Sequence, residues 1–393
     1  MVGLALLENA ETAVVGKPIT INRIFSHNRN WDVYKLNHCS EVRRVEVVEV
    51  EKMLVCQRDG NGYCTYYCPH CKETVVVHFG CNSRVCTHCG KRFADKWAGS
   101  VAKGLFDVVH RHCVFTIPDV LWPLFRERRG LLKELMDCCI RAIAKMIKKK
   151  LCKNVKPGIV AVLHTFGKDL KFYPHLHCLV AEGGVKSNGE WVDVTYFPFD
   201  LLRKYWQYEV LKMLKRKLPK TKENKQFLSS LFSKHKDGFY VRAQDRVKSK
   251  REIIKYIGRY IRHPAIAESR IDSYDGKRVV FHYFDHENVK HSVNMSIDEF
   301  ISAVIGHIPD RHFKVIRYYG LYARQDRKKY SYMIGEDSSY GTITQASILK
   351  FMGKHIKKCM KCGNIMEFIE YVKRKPPDSE KFGDKITDWA YIR

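Results

Sequence analysis

The stretch Phe172–Val180 reads FYPHLHCLV and decides the fold of the chain. Its apolar and aromatic residues predict a strand, in which successive side chains point to opposite faces. His175 and His177 therefore share one face, while Leu176 and Cys178 face the core. Two imidazoles side by side on a sheet are able to hold a divalent metal ion.

Strands and helices alternate along the rest of the chain. Strands are predicted at 112–118, 158–167, 173–182, 238–244, 277–285 and 291–296, and the alternating VRRVEVVEVEKM at 42–53 predicts another. Helices are predicted at 121–150 with a break near Gly130, and at 199–218, 249–262 and 296–308. This order predicts an α+β fold in which one central sheet is flanked by helices.

The chain is strongly basic, with 70 Lys and Arg against 42 Asp and Glu and a formal net charge of +28. Such an excess requires a polyanionic partner, and nucleic acid is favoured. No apolar run reaches the roughly 18 residues that span a bilayer, and the start has no basic region typical of a signal peptide. We expect a cytoplasmic protein without membrane association.

Seven of the 15 cysteines fall between Cys56 and Cys89. Without a secretory signal, such clustering predicts metal ligation rather than disulfides. Two Cys-x2-Cys pairs predict one structural zinc site, with Cys68, Cys71, Cys86 and Cys89 as its ligands. The other three cysteines leave a second zinc open: Cys56, Cys64 and Cys81.

A further pair, Cys359-x2-Cys362, lies near the end of the sequence and predicts half of another site. His355 is its candidate third ligand, and the pattern indicates no fourth. The proposed division of the chain is an N-terminal segment at 1–50, a cysteine-rich zinc-ribbon module at 51–95, a catalytic domain at 96–330 and a C-terminal segment at 331–393.

Two tyrosines form a second unusual pair. Tyr256 and Tyr260 are four residues apart on the helix predicted at 249–262, so both hydroxyls project from one face. With a metal ion held by His175 and His177, a tyrosine hydroxyl can attack a DNA phosphodiester and leave a 3′-OH and a 5′-phosphotyrosine. Either pair taken alone is also compatible with ordinary packing.

The third metal ligand is left open by the sequence. His164 on the neighbouring predicted strand is the first candidate, and Gln244 is the second. His164 could instead orient a ligand from outside the coordination shell. The expected ion is Mg²⁺ or Mn²⁺, since both suit a phosphoryl substrate and imidazole ligands favour Mn²⁺.

These motifs resemble the HUH endonucleases, which carry His-hydrophobic-His on a central strand of an antiparallel sheet. The HLH of this chain and its YIGRY match the two-tyrosine members. The order of CPHC…CNSRVCTHCG, VFTIP, the HLH stretch, YIGRYIRHPAIAESRI and HFKVIRYYGLYAR resembles the insertion-sequence-91-like rolling-circle transposases. Two positions depart from that pattern, because Tyr173 and Cys64 stand where the family usually has histidines.

The resemblance implies a transposase that nicks and rejoins single-stranded DNA at transposon ends, with target DNA as a second partner and rolling-circle transfer of one strand. Tyr256 and Tyr260 would be its nucleophiles. Two alternatives stay open: a plasmid replication initiator or relaxase with the same active site, and a non-catalytic zinc-ribbon DNA-binding protein. The oligomeric state is not indicated.

A basic region precedes the tyrosine pair. Residues 201–260 contain 18 Lys and Arg against 5 Asp and Glu. We interpret the excess as a groove for the phosphate backbone. Among the aromatic residues of the preceding helix, we expect some to be core and one or two to stack on bases: Tyr205, Trp206 and Tyr208.

Overall fold

The computed structural model describes residues 18–90, 92–94, 104–151, 154–194, 196–247, 265–285, 287–334 and 358–373. Both tyrosines of the predicted pair, the helix predicted around them and His355 lie outside these ranges. The backbone of Gln244 is described, but its side chain is not.

The helices are α1 (Ile21–Ser26), α2 (Asn30–Asn37), α3 (Arg44–Leu54), α4 (Trp122–Glu127), α5 (Leu131–Leu151), α6 (Phe199–Lys217), α7 (Lys222–Lys234), α8 (Ile297–Ile305) and α9 (Arg324–Lys329). The strands are β1 (Tyr63–Tyr67), β2 (Thr74–His78), β3 (His110–Thr116), β4 (Lys156–Phe166), β5 (Phe172–Val185), β6 (Trp191–Asp193), β7 (Val241–Val247), β8 (Ile271–Tyr274), β9 (Arg278–Phe284), β10 (Lys290–Ser296), β11 (Ile316–Gly320) and β12 (Glu367–Val372). Among these helices none is long and apolar enough to cross a membrane.

The central sheet has six strands in the order β11-β4-β5-β3-β7, with β6 paired to β5. Every pairing in it is antiparallel. The longest strand, β5, contains the His-Leu-His stretch and lies in the middle of the sheet. The predicted α+β class, with a central sheet flanked by helices, is confirmed.

One face of the central sheet carries the main core. Leu176 and Cys178 of β5 pack there against α5 and α6, as their alternation with the histidines predicts. Trp206 of α6 is fully buried on this face and donates from Nε1 to the carbonyl of Thr116 at 2.7 Å. The helices therefore cover the side opposite the histidines and leave the imidazole face to other parts of the chain.

A second core joins the N-terminal helices to residues 265–308. It contains side chains of α1, α2 and α3 together with α8 and the β10-β9-β8 sheet. Three cysteines, Cys81, Cys86 and Cys89, are buried in it. Packing thus connects residues on both sides of the proposed boundary at 95, and the four-part division stays a proposal.

The strand predicted at 42–53 is wrong, because this stretch forms helix α3. Its buried residues recur at helical spacing, at Glu46, Glu49, Val50 and Met53. The helix begins with a capping box, in which the Arg43 main-chain N–H donates to the Glu46 carboxylate at 2.9 Å. Tertiary packing and this cap outweigh the strand preference of the valines.

Candidate functional site

Three histidines meet on the face of the central sheet opposite α5 and α6. His164 of β4 lies directly opposite His175 of β5 in the strand register, and His177 follows two residues later. Their candidate ligand nitrogens all lie within 4.8 Å of one another. Each side chain is about nine-tenths buried. The structure thus brings His164, the first candidate for third ligand, to the predicted pair.

Hydrogen bonds orient two of these rings. His175 donates from Nδ1 to the carbonyl of Tyr173 at 2.8 Å, so its Nε2 carries the lone pair. This Nε2 lies 3.1 Å from Nε2 of His177. Two nitrogens bound at right angles to one ion, each about 2.1 Å away, are about 3.0 Å apart. The pair therefore fits neighbouring positions of an octahedral metal ion.

Burial favours the neutral form of His175 and of His177. Burial lowers the pKa of His175 to about 4. Burial, followed by the charges of the neighbouring imidazoles, also lowers the pKa of His177 well below its usual value. Metal binding requires the neutral ring, so near pH 7 no proton must be displaced before an ion binds.

Sequence reasoning missed a fourth histidine. His112 of β3 is 2% exposed, and its Nε2 lies 3.0 Å from Nδ1 of His177. The two rings are stacked at 6° with centroids 5.2 Å apart. A His177 that binds metal through Nε2 carries its proton on Nδ1, and Nε2 of His112 is placed to accept that proton. The signal was present in the sequence, since His110 and His112 form another His-x-His on a strand.

We expect His112→Ala to weaken Mn²⁺ binding by about 10–100-fold, as loss of an orienting partner does at other metal sites. The measurement is a titration followed by the electron paramagnetic resonance signal of free Mn²⁺. His112→Gln, which retains a hydrogen-bonding group, should recover part of the affinity. An unchanged affinity in a folded His112→Ala protein would contradict this role.

Tyr173 occupies the position where the family pattern has a histidine. Its ring stacks on His175 with centroids 4.6 Å apart, and Trp122 contacts it at 5.0 Å. The group that orients His175 is the main-chain carbonyl of Tyr173, which any residue supplies. Tyrosine in place of histidine at position 173 therefore leaves the orientation of the His175 ring unchanged.

The cysteines form two separate clusters, each with four thiols whose sulfurs lie within 4.8 Å of one another. The first cluster consists of Cys56, Cys81, Cys86 and Cys89. Its Sγ–Sγ distances include 3.7 Å from Cys56 to Cys89 and 3.6 Å from Cys56 to Cys86. Tetrahedral zinc with bonds of about 2.3 Å places its sulfurs about 3.8 Å apart, so the cluster fits the ion.

The second cluster consists of Cys68, Cys71, Cys359 and Cys362. The expected pairing of Cys68 and Cys71 with Cys86 and Cys89 is therefore corrected. Cys68 and Cys71 lie in the turn between β1 and β2, whereas the other pair follows the far end of β2. A five-residue strand spans about 17 Å, so the two cysteine pairs at its opposite ends are too far apart to bind one zinc ion.

Cys64 belongs to neither cluster. It lies within β1, 6% exposed, opposite Val77 of β2 and Tyr371 of β12. Its neighbour in the strand, Thr65, points to the other face of the small sheet. The suggestion that Cys64 replaces a ligand histidine has no support from its position, and burial raises the pKa of its thiol.

Comparison with known families gives two matches. Residues 158–329 match a family described as putative transposases, and residues 26–117 match a transposase zinc-binding domain. The first match includes the three histidines and the tyrosine pair. The second includes all seven clustered cysteines but ends long before Cys359. The zinc-domain match and the cysteine clusters together support structural Zn²⁺.

Two relatives extend this result over most of the chain. The transposase for insertion sequence element IS801 of Pseudomonas savastanoi pv. phaseolicola is 29% identical over 325 residues, which cover 78% of this chain and 77% of the relative. Putative transposase y4qJ of Sinorhizobium fredii is 24% identical over 324 residues, with 77% and 80% covered. No solved structure matches. Together, the two matched families and the two relatives support an insertion-sequence-91-like transposase.

Proposed function

We propose that this chain nicks and rejoins single-stranded DNA at the ends of a transposon through a 5′-phosphotyrosine, and moves one strand by a rolling-circle mechanism. The observation that carries the proposal is the convergence of His164, His175 and His177 on one sheet face. The matched transposase families and relatives support DNA as the substrate of a cleaving enzyme. We place its action in the cytoplasm, at the nucleoid.

In this proposal the three histidines hold the catalytic Mg²⁺ or Mn²⁺, with His112 orienting His177. The bound ion would withdraw charge from the oxygens of the scissile phosphate. Three imidazoles leave further octahedral positions for phosphate oxygens and water. The nitrogen ligands favour Mn²⁺ in vitro.

Tyr256 and Tyr260 are the proposed nucleophiles. A tyrosine hydroxyl loses its proton and forms an O–P bond, while the bond from phosphorus to the 3′ oxygen breaks and that oxygen takes up a proton. One phosphodiester replaces another, so the released 3′-OH can reverse the step without ATP. The second tyrosine allows a second cleavage while the first adduct persists.

The position of the basic helix α6 changes where we expect its residues to contact DNA. The helix packs on the sheet face opposite the histidines, with Trp206 buried and Tyr205 partly buried in that core. Tyr208 is 49% exposed, and Nζ of Lys145 lies 4.5 Å from its ring centroid. Of the three aromatic residues, we assign base stacking to Tyr208. It would contact DNA bases beyond the histidine face of the central sheet.

Positive charge beside the histidines has another source. Arg84, Arg129 and Asp310 line the same cavity as His164, between the central sheet and the second core, so two guanidinium groups face one carboxylate there. Burial lowers the pKa of Arg129 to about 10, so its guanidinium is charged near pH 7. We propose that these arginines attract the phosphates that flank the cleavage point.

The proposal is tested by incubating the purified chain with labelled single-stranded and duplex DNA from the element's ends, with Mn²⁺ or with EDTA. We expect cleavage of the single strand only, at one position, and only with metal. A scrambled oligonucleotide of equal length is the control. Binding without cleavage in every condition would instead favour the non-catalytic DNA-binding protein.

A further inference from the structure

The second cysteine cluster is built from two turns with the same backbone design. At the first turn, the Lys72 N–H donates to the Cys68 carbonyl at 2.8 Å, and the Cys68 N–H donates to the Glu73 carbonyl at 2.8 Å. Lys72 adopts a left-handed conformation with φ +57°. A non-glycine residue adopts this conformation at a cost, so the turn is specified by its surroundings.

The turn at the C-terminal pair repeats this arrangement. The Gly363 N–H donates to the Cys359 carbonyl at 2.8 Å, and the Cys359 N–H donates to the Asn364 carbonyl at 2.7 Å. Gly363, with φ +73°, occupies the position of Lys72. Both turns therefore present two thiols to one side, although nearly 300 residues separate them in sequence.

The four sulfurs interleave between the turns. Sγ of Cys68 lies 3.5 Å from Sγ of Cys362, and Sγ of Cys71 lies 3.2 Å from Sγ of Cys359. The first cysteine of each turn thus faces the second cysteine of the other. Two matching turns that face each other in this way make the closed four-thiol set of a structural zinc site.

The strand that follows has few apolar contacts to hold it in place. Strand β12 pairs with β1 at the edge of a three-stranded sheet. Yet Phe368, Ile369 and Tyr371 are each more than half exposed. Among the described residues, its apolar contacts are a small cluster around Cys68, Cys359 and Met366 and two aromatic pairs at the surface, Tyr66 with Phe368 and Phe79 with Tyr371. A sheet this small and this exposed is marginal without additional support.

We propose that Cys68, Cys71, Cys359 and Cys362 bind a second zinc ion, and that this ion fastens the C-terminal segment to the N-terminal module. The site lies across the limits of the matched zinc-binding domain, which contributes only two of its ligands. It is distinct from the first cluster, whose cysteines lie in the large second core. Two of its cysteines, Cys71 and Cys362, are partly exposed, against one, Cys56, in the first cluster, so we expect the second ion to exchange faster.

The test compares the zinc content of the full-length chain with that of a Cys359→Ser, Cys362→Ser double variant. We expect two zinc ions per chain in the native protein and one in the variant. Hydrogen exchange of β1 and β12 amides should accelerate at least tenfold in the variant, with the central sheet unchanged. Cys64→Ala, which removes a buried cysteine of the same sheet, should retain both ions.

Chelation of the native protein provides a second measurement that does not depend on any variant. A limiting chelator should remove one ion first and expose β12 to exchange, while the first cluster retains its ion. Two ions retained by the double variant, or one ion in the native chain, would overturn the proposal. Neither measurement involves DNA cleavage, so the result stands apart from the proposed strand-transfer activity.

Discussion

Replacing His177 with alanine is expected to abolish strand cleavage. His177 Nε2 is 3.1 Å from that of His175, and its other ring nitrogen contacts His112, so its removal disrupts both the ligand set and the orienting hydrogen bond. Metal stabilisation of charge in phosphoryl transfer contributes several kcal/mol, which corresponds to a loss of about a thousandfold or more. The measurement is the single-turnover cleavage rate in Mn²⁺.

The matched control is His291→Ala. His291 lies on β10, is partly exposed and pairs with Asp285 at 2.7 Å, away from the central sheet. The His291→Ala variant should cleave DNA at the native rate. Unfolding is excluded by comparing circular dichroism and melting temperature of both variants with the native chain. A folded His177→Ala protein that cleaves within tenfold of the native rate would remove the histidine site from the mechanism.

Replacing Cys86 with serine should have the largest effect on stability. Cys86 is 5% exposed in the second core, where its cluster joins the end of α3 to the loop after β2. Structural zinc contributes about 10–16 kcal/mol in small zinc domains, comparable with the whole stability of a folded domain. We therefore expect loss of the first zinc and unfolding of the α1–α3 and α8 region.

Zinc content and thermal melting of Cys86→Ser report this outcome. Cys39→Ser, which removes an exposed cysteine outside both clusters, is the control and should melt with the native chain. In the variant, amides of α8 should lose protection although α8 lies more than 200 residues away in sequence. If Cys86→Ser melts like the native protein with its zinc intact, the first cluster does not hold a structural ion.

Local patterns predicted the central sheet well. The His-Leu-His strand and its neighbour β4 are runs of mostly apolar, β-branched and aromatic residues, which are typical of buried strands, and both are buried over most of their length. The break between α4 and α5 falls at residues 128–130, where Gly130 indicated it. The histidine pair was visible because successive side chains of a strand point to opposite faces, which places His175 and His177 on one face.

Contacts between distant parts of the chain were not predictable in this way. The second cysteine cluster joins residues near 70 to residues near 360, and spacing within either pair does not identify its partner. Helix α3 was misassigned because valine and glutamate alternate in VEVVEV, while its packing against the second core is non-local. The role of His112 needed the register of β3 against β5, which places it beside His177.

The central claim is that a tyrosine of this chain becomes covalently linked to DNA. The direct measurement is mass spectrometry of peptides from a Mn²⁺ reaction with single-stranded end DNA. We predict a 5′-linked nucleotide on Tyr256 or Tyr260, absent in the Tyr256→Phe, Tyr260→Phe double variant and in EDTA. Cleaved DNA with no protein-linked product, or an adduct on any other residue, would contradict the account.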